Sequence, residues 1–586
     1  MLRTYGLHAP GTIIGGVDTV AVASAAMSVP RPPVAPVAPE IPGRRARLLD
    51  TVLAKVLRQP GARSTHVVER GVRVPMRDGV TLNADHYAPT GATRNGTILV
   101  RTPYGRGFPS GVLQGAMLAA RGYHVLLQSV RGTFGSGGTF RPMAQETDDA
   151  RDTVAWLRDQ PWFDGRLGTL GASYVGWTQW TLLQDPPPEL RASVVQVAPH
   201  DFRRAVFGSG AFTLNDFLGW SATVAGQQAQ GPGRIVDALT AGRRAAAVVG
   251  DLPLPDAAEP LLRGRAPWYR EWLEHADDDS DPFWEPYRAG EALQRVETPV
   301  LLAGGWSDIF LDQTVEQYAA LRGRGVDVAL TIGDWTHMDT QFKGARTLSA
   351  ETLAWFDEHL AGTAARSRQP VRVQHAGTWR ELPEWPPPGV DTAFHPAAGA
   401  RLEAEPAAGG ATSFRYDPAD PTPAVGGRVM AGSAGRRENS ELEARPDVVT
   451  FTSAPLPAAV DVAGTPRVEL ALSVDNPHAD VFVRLCDVTV DRRGRDRSHN
   501  VTDGFLRLDA SVPAGETHRR TVDLDPCAHR FEAGSRIRLQ VSGGAFPRFA
   551  RNPGTGAPTA TATELVPSRR TVQHRGSRVV LPVVQF

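Results

Sequence analysis

Short runs of apolar residues, separated by stretches with helical spacing, recur along the chain between residues 97 and 333. The runs are TILV at 97, HVLLQ at 124, RLGTL at 166, ASVVQV at 192, PVLLAGG at 299 and VALTIG at 328. Runs this short and this continuous are typical of strands that are buried on both faces. The pattern therefore predicts a mostly parallel sheet covered by helices.

Two further patterns precede this sheet. The segment GVRVPMRDGVTLNADHY alternates apolar and polar residues on both sides of Asp78-Gly79, which predicts a β-hairpin. Before it, residues 1–64 contain a proline-rich stretch (29–43), predicted to be a flexible lead-in. A docked amphipathic helix should follow, because apolar residues recur at helical spacing: Leu48, Leu49, Val52, Leu53, Val56 and Leu57.

The rest of the chain divides into segments with different sequence patterns. Residues 65–200 and 296–364 contain the alternating pattern of an α/β domain. Residues 201–295, rich in Trp, Arg and helix formers, form too long an insertion for a loop and predict a helical cap. Residues 366–586 contain proline- and glycine-punctuated segments such as PRVELALSV and DVFVRLCDVTV, which predict an antiparallel sandwich or jelly roll.

Composition narrows the functional classes. Lys plus Arg equals Asp plus Glu at 63 each, so no basic field exists to bind nucleic acid. No apolar run reaches the roughly 18 residues of a membrane span. Cys486 and Cys527 have the spacing of neither a disulfide framework nor a metal site. We expect no metal, no cofactor and a cytoplasmic location, with secretion left open by a weakly apolar N-terminus; the sequence does not define the oligomeric state.

Ser173, in GASYVGWTQW, follows a predicted strand and precedes a predicted helix. This is the context of a nucleophile elbow, in which a sharp turn exposes the serine oxygen above the sheet. The usual Gly-x-Ser-x-Gly spacing is not met, because Val175 takes the second position and glycine follows at Gly176. A plain turn is the alternative interpretation.

An acid and a base follow Ser173 in the order typical of α/β-hydrolases. Asp308 comes directly after one predicted strand, and His337 directly after the next. His337 would take the serine proton, and Asp308 would orient and stabilise the imidazole. Asp334 and Asp201 are alternative acids. Taken singly, Asp308 also fits a helix N-cap and His337 a loop histidine.

Acyl transfer also requires donors for the oxyanion. The backbone N–H of Tyr174 is one candidate. The loop after the TILV strand reads RTPYGR, and since Pro103 has no N–H, the Tyr104 hydroxyl is the second candidate; packing at the end of the sheet is its alternative. Trp177 and Trp180 lie one helical turn apart, where they fit either core packing or a substrate pocket.

Several motifs resemble the cocaine esterase/X-Pro dipeptidyl-peptidase (CocE/NonD) family of serine hydrolases. They are RTPYGR, VRGTFGSGG, DTVAWLRDQPWFDGRLGTLGASYVGWTQW, GGWSDIF, GDWTH and, near the C-terminus, FPRFARNPGTG. The family's elbow has the form Gly-x-Ser-Tyr-x-Gly, which accounts for Gly176. The resemblance implies an α/β-hydrolase domain with a helical cap and a C-terminal jelly roll, over residues 66–586.

Matching by motif carries the family's site residues onto this chain. The nucleophile falls on Ser173, the acid on Asp308, the base on His337, and the oxyanion donors on Tyr104 and the backbone of Tyr174. Phe310 would line the acyl pocket. One position departs from the family, because Ser129 stands where an aspartate often precedes VRG, so a local ion pair or strand-end contact is expected to be missing there.

These observations predict a cofactor-independent serine hydrolase that cleaves a small ester, an amide or a short peptide through an acyl-enzyme. An X-Pro dipeptidyl peptidase is the nearest alternative, with the acidic cap loop HADDDSDP (275–282) as anchor for the substrate's amino group; a solvated loop is the other interpretation of that segment. A non-catalytic glycan-binding protein is the alternative from another class.

Overall fold

The computed structural model describes residues 40–41, 43–91, 95–227, 244–364, 368–430, 432–508 and 510–586. Nearly all of the predicted lead-in lies outside these ranges. The described residues belong to one unit, Val37–Phe586.

The first sheet has ten strands in the order β1-β2-β4-β3-β5-β6-β7-β8-β9-β10. Strands β3 to β9 run parallel, and an antiparallel strand pair closes each edge. The strands are β1 (His66–Pro75), β2 (Thr81–Pro89), β3 (Thr97–Thr102), β4 (His124–Ser129), β5 (Leu167–Ala172), β6 (Leu190–Gln196), β7 (Val300–Ser307), β8 (Val328–Thr336), β9 (Val371–His375) and β10 (Thr378–Leu382). All six apolar runs became strands, which confirms the predicted parallel sheet.

The end of this sheet differs from the predicted domain boundary. The sequence predicts that the all-β domain begins at 366, yet β9 pairs in parallel with β8, from Leu330 with Val371 to Ile332 with Val373. Both valines are buried on the sheet. The sequence does not assign β9 and β10 to one sheet, because their alternating pattern fits either sheet and only strand pairing decides between the two.

Helices cover the sheet and build the cap. They are α1 (Arg44–Val56), α2 (Met117–Ala119), α3 (Glu146–Arg158), α4 (Tyr174–Leu183), α5 (Phe202–Phe207), α6 (Leu214–Gln227), α7 (Leu254–Leu262), α8 (Pro267–Glu274), α9 (Ala292–Arg295), α10 (Leu311–Gly323), α11 (Ala345–His359) and α12 (Ser440–Glu443), with a π-helix at Gly111–Ala116 and 3₁₀ turns at Pro282–Tyr287 and Met338–Gln341. Helices α5 to α9 form the cap and share one apolar core with the sheet. None of the helices in the described ranges is long and apolar enough to cross a membrane.

Helix α1 is present, and most of its predicted apolar face is exposed. The side chains of Leu48, Leu49, Val52 and Val56 are exposed. The buried positions are Asp50, Ala54 and Leu57. Of the six predicted apolar positions, Leu57 is buried and Leu53 is half-buried. Only part of the predicted stripe is covered, because helical periodicity defines a stripe and not the surface that the stripe meets.

The C-terminal part is an all-β domain of two sheets packed face to face. Its strands are β11 (Gly389–Ala397), β12 (Arg401–Glu403), β13 (Ala411–Tyr416), β14 (Val448–Thr452), β15 (Val460–Gly464), β16 (Arg467–Val474), β17 (Asp480–Val490), β18 (Asp496–Arg507), β19 (His518–Asp523), β20 (Cys527–Phe531), β21 (Arg536–Ser542) and β22 (Ser568–Val584). Residues such as Leu470, Leu485 and Leu539 fill the space between the sheets. The predicted fold class, an α/β-hydrolase with a cap and a jelly roll, is confirmed.

Backbone hydrogen bonds join the cap to this all-β domain. The N–H of Asn215 donates to the carbonyl of Pro547 (2.9 Å), and the N–H of Ala550 donates to the carbonyl of Phe212 (2.7 Å). The cap therefore contacts the sandwich directly around the start of α6.

Candidate active site

Ser173 occupies the turn between β5 and α4. Its backbone has φ 58° and ψ −125°, a region that costs a non-glycine residue on the order of 1–3 kcal/mol. Hydrogen bonds hold the turn: the N–H of Ser173 donates to the Gln196 carbonyl (2.9 Å), and its own carbonyl accepts from Gly176 and Trp177. The turn has the strained strand-to-helix form of a nucleophile elbow.

Two glycines allow this turn to fit. A Cβ on Gly171 would lie 2.3 Å from Cγ1 of Val175. A Cβ on Gly176 would lie 2.3 Å from Cβ of Ala198. Helix α4 thus packs too closely on the end of β6 for any side chain at 176, which explains why the second glycine follows Ser173 by three positions.

The structure brings Ser173, His337 and Asp308 into one hydrogen-bonded row. His337 Nε2 lies 3.1 Å from Ser173 Oγ, and His337 Nδ1 lies 2.6 Å from Asp308 Oδ1. Asp308 has no exposed surface, and His337 is 3% exposed. The second carboxylate oxygen of Asp308 accepts from the N–H of Phe310 (3.2 Å). The arrangement permits proton transfer from the serine to an imidazole oriented by a buried carboxylate.

The other two candidate acids lie elsewhere. Asp334 is exposed. Asp201 caps α5 by accepting from the N–H of Arg204 (2.9 Å). Neither forms a hydrogen bond with His337 in the part of the chain that the structure describes.

Tyr104 reaches the serine from the loop after β3. Its hydroxyl accepts from Trp220 Nε1 (3.1 Å) and forms a hydrogen bond with Ser173. Although 39% of the residue is exposed, desolvation of the hydroxyl raises its pKa to about 12, and these two hydrogen bonds oppose the rise. Tyr104 is therefore a neutral hydrogen-bond donor at physiological pH. Tyr174 is the first residue of α4, so its backbone N–H points out of the helix beside Ser173.

A buried polar network lies behind this turn. The Tyr174 hydroxyl donates to Glu146 (2.7 Å) and accepts from the N–H of Met143 (2.9 Å). Arg101 forms an ion pair with the same carboxylate at 2.7 Å. Burial raises the pKa of Glu146, while Arg101 lowers it. Sequence reasoning missed this network, although Arg101 is the first residue of RTPYGR.

Phe310 and Trp177, the two predicted pocket residues, lie in different surroundings. The Phe310 ring meets the His337 ring edge-on, with centroids 5.4 Å apart. Trp177 has no exposed surface, and its indole donates to the Met143 carbonyl (3.0 Å). This burial fits core packing, the alternative interpretation of Trp177, since every residue of α4 is buried.

Arg106 forms contacts at Ser129, where a local ion pair or strand-end contact is expected to be missing. Arg106 donates to the hydroxyl of Ser129, and its Nε donates to Asp85 Oδ1 (3.2 Å). Asp85 lies on β2, beside β4 in the sheet. A neighbouring strand therefore supplies the carboxylate that position 129 lacks.

The carboxylates of the acidic cap loop are engaged within the protein. Asp277 accepts from the Thr559 hydroxyl (2.9 Å), Asp278 accepts from the Ser280 hydroxyl of the same loop (2.7 Å), Asp279 pairs with Arg203 (3.1 Å), and Asp281 caps the following 3₁₀ turn. Among the described residues, no three His, Cys, Asp or Glu side chains form a group that could hold a metal ion.

Two family models match the chain. The X-Pro dipeptidyl-peptidase (S15 family) model matches residues 78–339, and the X-Pro dipeptidyl-peptidase C-terminal non-catalytic domain model matches residues 363–579. A cocaine esterase of Rhodococcus sp. (strain MB1 Bresler) is 31% identical over 582 residues, covering 88% of this chain and 99% of the relative.

Solved structures share the whole architecture. An α-amino acid ester hydrolase superposes with a TM-score of 0.74 at 23% identity. An aminopeptidase from a marine sediment archaeon of the Thaumarchaeota superposes with a TM-score of 0.73 at 22% identity. Each match covers 89% of this chain and 97% of the other. At these identities the superpositions establish the fold.

Proposed function

The chain belongs to the cocaine esterase/X-Pro dipeptidyl-peptidase family of serine hydrolases, and on that premise we propose that Ser173 is its nucleophile, His337 its base and Asp308 the acid that orients the base. The protein is a serine hydrolase of the esterase or dipeptidyl-peptidase type. The observation that carries the residue assignment is the row of hydrogen bonds from Asp308 through His337 to Ser173.

The proposed reaction has two halves. Ser173 Oγ attacks the acyl carbon while His337 Nε2 takes its proton, and the oxyanion accepts hydrogen bonds from the Tyr104 hydroxyl and the Tyr174 N–H. The tetrahedral adduct collapses to an acyl-enzyme as His337 protonates the leaving group. His337 then removes a proton from water, which attacks the acyl carbon, and the acid departs as Ser173 regains its proton.

Between the two substrate classes, we propose a small ester. Cocaine esterase is similar along nearly the whole chain. A dipeptidyl peptidase needs a free carboxylate to hold the substrate's amino terminus, and the cap-loop carboxylates are engaged with Thr559, Ser280, Arg203 and the N-terminus of a 3₁₀ turn. The S15 model keeps the X-Pro dipeptidyl peptidase as the second candidate.

The test compares a short-chain p-nitrophenyl ester with Gly-Pro-p-nitroanilide. We expect turnover of the ester, and Ser173→Ala should lower kcat by about 10⁶. Ser280→Ala, in the exposed cap loop, is the matched control and should keep full activity. Turnover of the anilide alone would favour the peptidase, whereas activity unchanged by Ser173→Ala would exclude Ser173 as nucleophile.

We also propose that no nucleic acid or membrane partner is involved and that the location is cytoplasmic. The two cysteines, Cys486 and Cys527, are buried free thiols, consistent with a reducing compartment. Cell fractionation with an antibody against the protein tests this assignment.

A further inference from the structure

Glu146 is a buried carboxylate that contacts both segments that carry the proposed oxyanion donors. Its Oε1 accepts a hydrogen bond from the Tyr174 hydroxyl (2.7 Å), and its Oε2 pairs with Arg101 (2.7 Å). Tyr174 carries the backbone donor, and Arg101 lies on β3, three residues before Tyr104, the side-chain donor. One side chain thus connects the start of α4 with the end of β3.

Arg101 is buried and held by further hydrogen bonds. Its Nη1 donates to the backbone carbonyl of Glu146 (2.8 Å), and its Nε donates to Gln128 on β4 (3.1 Å). The Arg101 carbonyl accepts from the hydroxyl of Thr178 on α4 (3.3 Å). The end of β3 is therefore fixed relative to α3 and to α4.

The Tyr174 side chain is held at its hydroxyl and at its ring. The hydroxyl also accepts from the N–H of Met143 (2.9 Å). The ring meets that of Tyr104 edge-on, with centroids 6.4 Å apart, and lies nearly parallel to that of Trp220 at 6.3 Å. Trp220 in turn donates to the Tyr104 hydroxyl. A shift of the Tyr174 side chain would therefore disturb Tyr104 as well as the first turn of α4.

The segment before α3 contributes a strained residue to the same contact. Met143 has φ 68°, a value that residues other than glycine rarely adopt. Its N–H donates to the Tyr174 hydroxyl, and its carbonyl accepts from the indole of Trp177 (3.0 Å). Such strain persists only where the surrounding contacts over-determine the backbone, and it is typical of functional sites. Both of these contacts lie on the first turn of α4.

Stability alone is a weak reason for this network. A buried ion pair adds little net stability, because the loss of hydration offsets the attraction between the charges. It does supply direction, since hydrogen bonds to a carboxylate are short and geometrically specific. Burial raises the pKa of Tyr174 well above its ordinary value, so the hydroxyl keeps its proton and donates to Glu146.

We propose that Glu146 is a positioning residue that sets the distance between the two oxyanion donors, the Tyr104 hydroxyl and the Tyr174 N–H. It acts through Arg101 on one side and through the Tyr174 hydroxyl on the other. The inference rests on the proposed function, because it requires an oxyanion formed at Ser173. Correctly spaced donors stabilise the transition state more than the bound substrate, so their displacement lowers kcat and leaves KM unchanged.

The kinetic experiment changes one functional group of the network at a time. Tyr174→Phe removes the hydroxyl and should lower kcat for the p-nitrophenyl ester by roughly 10- to 100-fold, the effect of misplacing a catalytic group by about 1 Å. Glu146→Gln keeps the size of the side chain but has one acceptor oxygen for two partners. It should lower kcat over the same range, and KM should stay unchanged in both variants.

The matched control is a second group of tyrosine, carboxylate and arginine. Tyr123 donates to Asp357 (2.7 Å), and Arg63 pairs with the same carboxylate (2.9 Å). Tyr123→Phe and Tyr174→Phe remove the same atom from similar surroundings. Both should lower the midpoint of urea denaturation, whereas only Tyr174→Phe should lower kcat.

A transition-state mimic separates positioning from a general loss of packing. Propyl trifluoromethyl ketone is attacked by Ser173 Oγ while His337 takes the serine proton, and its carbonyl oxygen becomes an oxyanion between the two donors. The corresponding secondary alcohol forms no oxyanion. In Tyr174→Phe and Glu146→Gln, the inhibition constant of the ketone should rise by the factor by which kcat/KM falls. That of the alcohol should stay at its wild-type value.

The proposal is overturned if both variants keep the wild-type kcat, or if the ketone and the alcohol lose affinity alike. If Tyr174→Phe does not fold, Glu146→Gln decides by the same two measurements. If neither variant folds, the role of Glu146 is structural and the proposal is wrong. Failure of the proposed function is a different result: wild-type protein turns over no ester and binds the ketone no better than the alcohol.

Discussion

Asp308, the proposed catalytic acid, follows β7, and Asp334, the alternative acid, lies on the neighbouring strand β8. Asp308 is fully buried and 2.6 Å from His337, whereas Asp334 is exposed. Asp308→Asn should lower kcat by about 10⁴, since the amide favours the wrong imidazole tautomer and stabilises no imidazolium. Asp334→Asn should leave kcat unchanged. Steady-state kinetics on the p-nitrophenyl ester tests the pair, and equal losses would contradict the assignment.

The hydroxyl of Tyr104 is the proposed side-chain donor to the oxyanion. Tyr104→Phe should lower kcat by roughly 10²–10³ with little change in KM, because the oxyanion loses one donor. With its pKa raised to about 12, the hydroxyl stays protonated up to about pH 10, so its contribution to kcat should not fall between pH 7 and pH 10.

The matched control for Tyr104 is a second tyrosine of the α/β domain. The Tyr123 hydroxyl donates to Asp357 (2.7 Å), away from Ser173. Tyr123→Phe should reduce the free energy of unfolding and leave kcat intact. If both variants lowered kcat equally, the effect of Tyr104 would be structural and not catalytic.

At the scale of elements, the contact between α4 and the end of β6 positions the nucleophile. Gly176→Ala should reduce the free energy of unfolding by about 1–3 kcal/mol and lower kcat, because its Cβ would overlap that of Ala198. Gly176→Ala combined with Ala198→Gly should recover both. Urea denaturation and ester kinetics on the double-mutant cycle test this, and no recovery would place the clash elsewhere.

Elements and motifs were predicted from sequence where the signal is local. The six apolar runs form strands because short continuous apolar segments are buried on both faces of a sheet. Ser173, Asp308 and His337 each follow a strand that ends at the same edge of that sheet. The exposed face of α1 and the pairing of β9 with β8 were not predictable in this way. Each depends on the surface that the element meets.

The residues that sequence reasoning missed have no local signal. Glu146 begins α3, and Trp220 lies within α6. Their roles arise from contacts with residues distant in sequence, such as the hydrogen bond between Trp220 and Tyr104. Trp177 shows the converse, because the spacing of Trp177 and Trp180 by one helical turn already indicated core packing, and Trp177 is fully buried.

At the scale of the whole molecule, the free energy of unfolding should depend on pH. The cause is a cluster of charged residues between the domains: Asp525, Arg428, Arg548 and Asp503. Burial raises the pKa of Asp525 to about 7, while Arg428 and Arg548 lower it and Asp503 raises it. The folded protein therefore binds a proton that the unfolded chain releases near pH 4. Stability from this group increases as the pH falls through 7 and is lost above it.

The comparison of wild type with Asp525→Asn isolates that effect. Between pH 8 and pH 6, the free energy of unfolding of the wild type should rise by about 1.4 kcal/mol relative to the variant. Chemical denaturation at the two pH values measures the difference. Parallel pH profiles would show that Asp525 titrates alike in the folded and unfolded states.

The backbone hydrogen bonds from the cap to the sandwich, at Asn215–Pro547 and Phe212–Ala550, bear on how this protein can be recombined with its relatives. A chimera that exchanges the sandwich alone would replace Pro547 and Ala550, the sandwich residues that form these bonds. Cap and sandwich should therefore be exchanged together. Such an exchange should keep the contacts between cap and sandwich and leave Ser173, His337 and Asp308 unchanged.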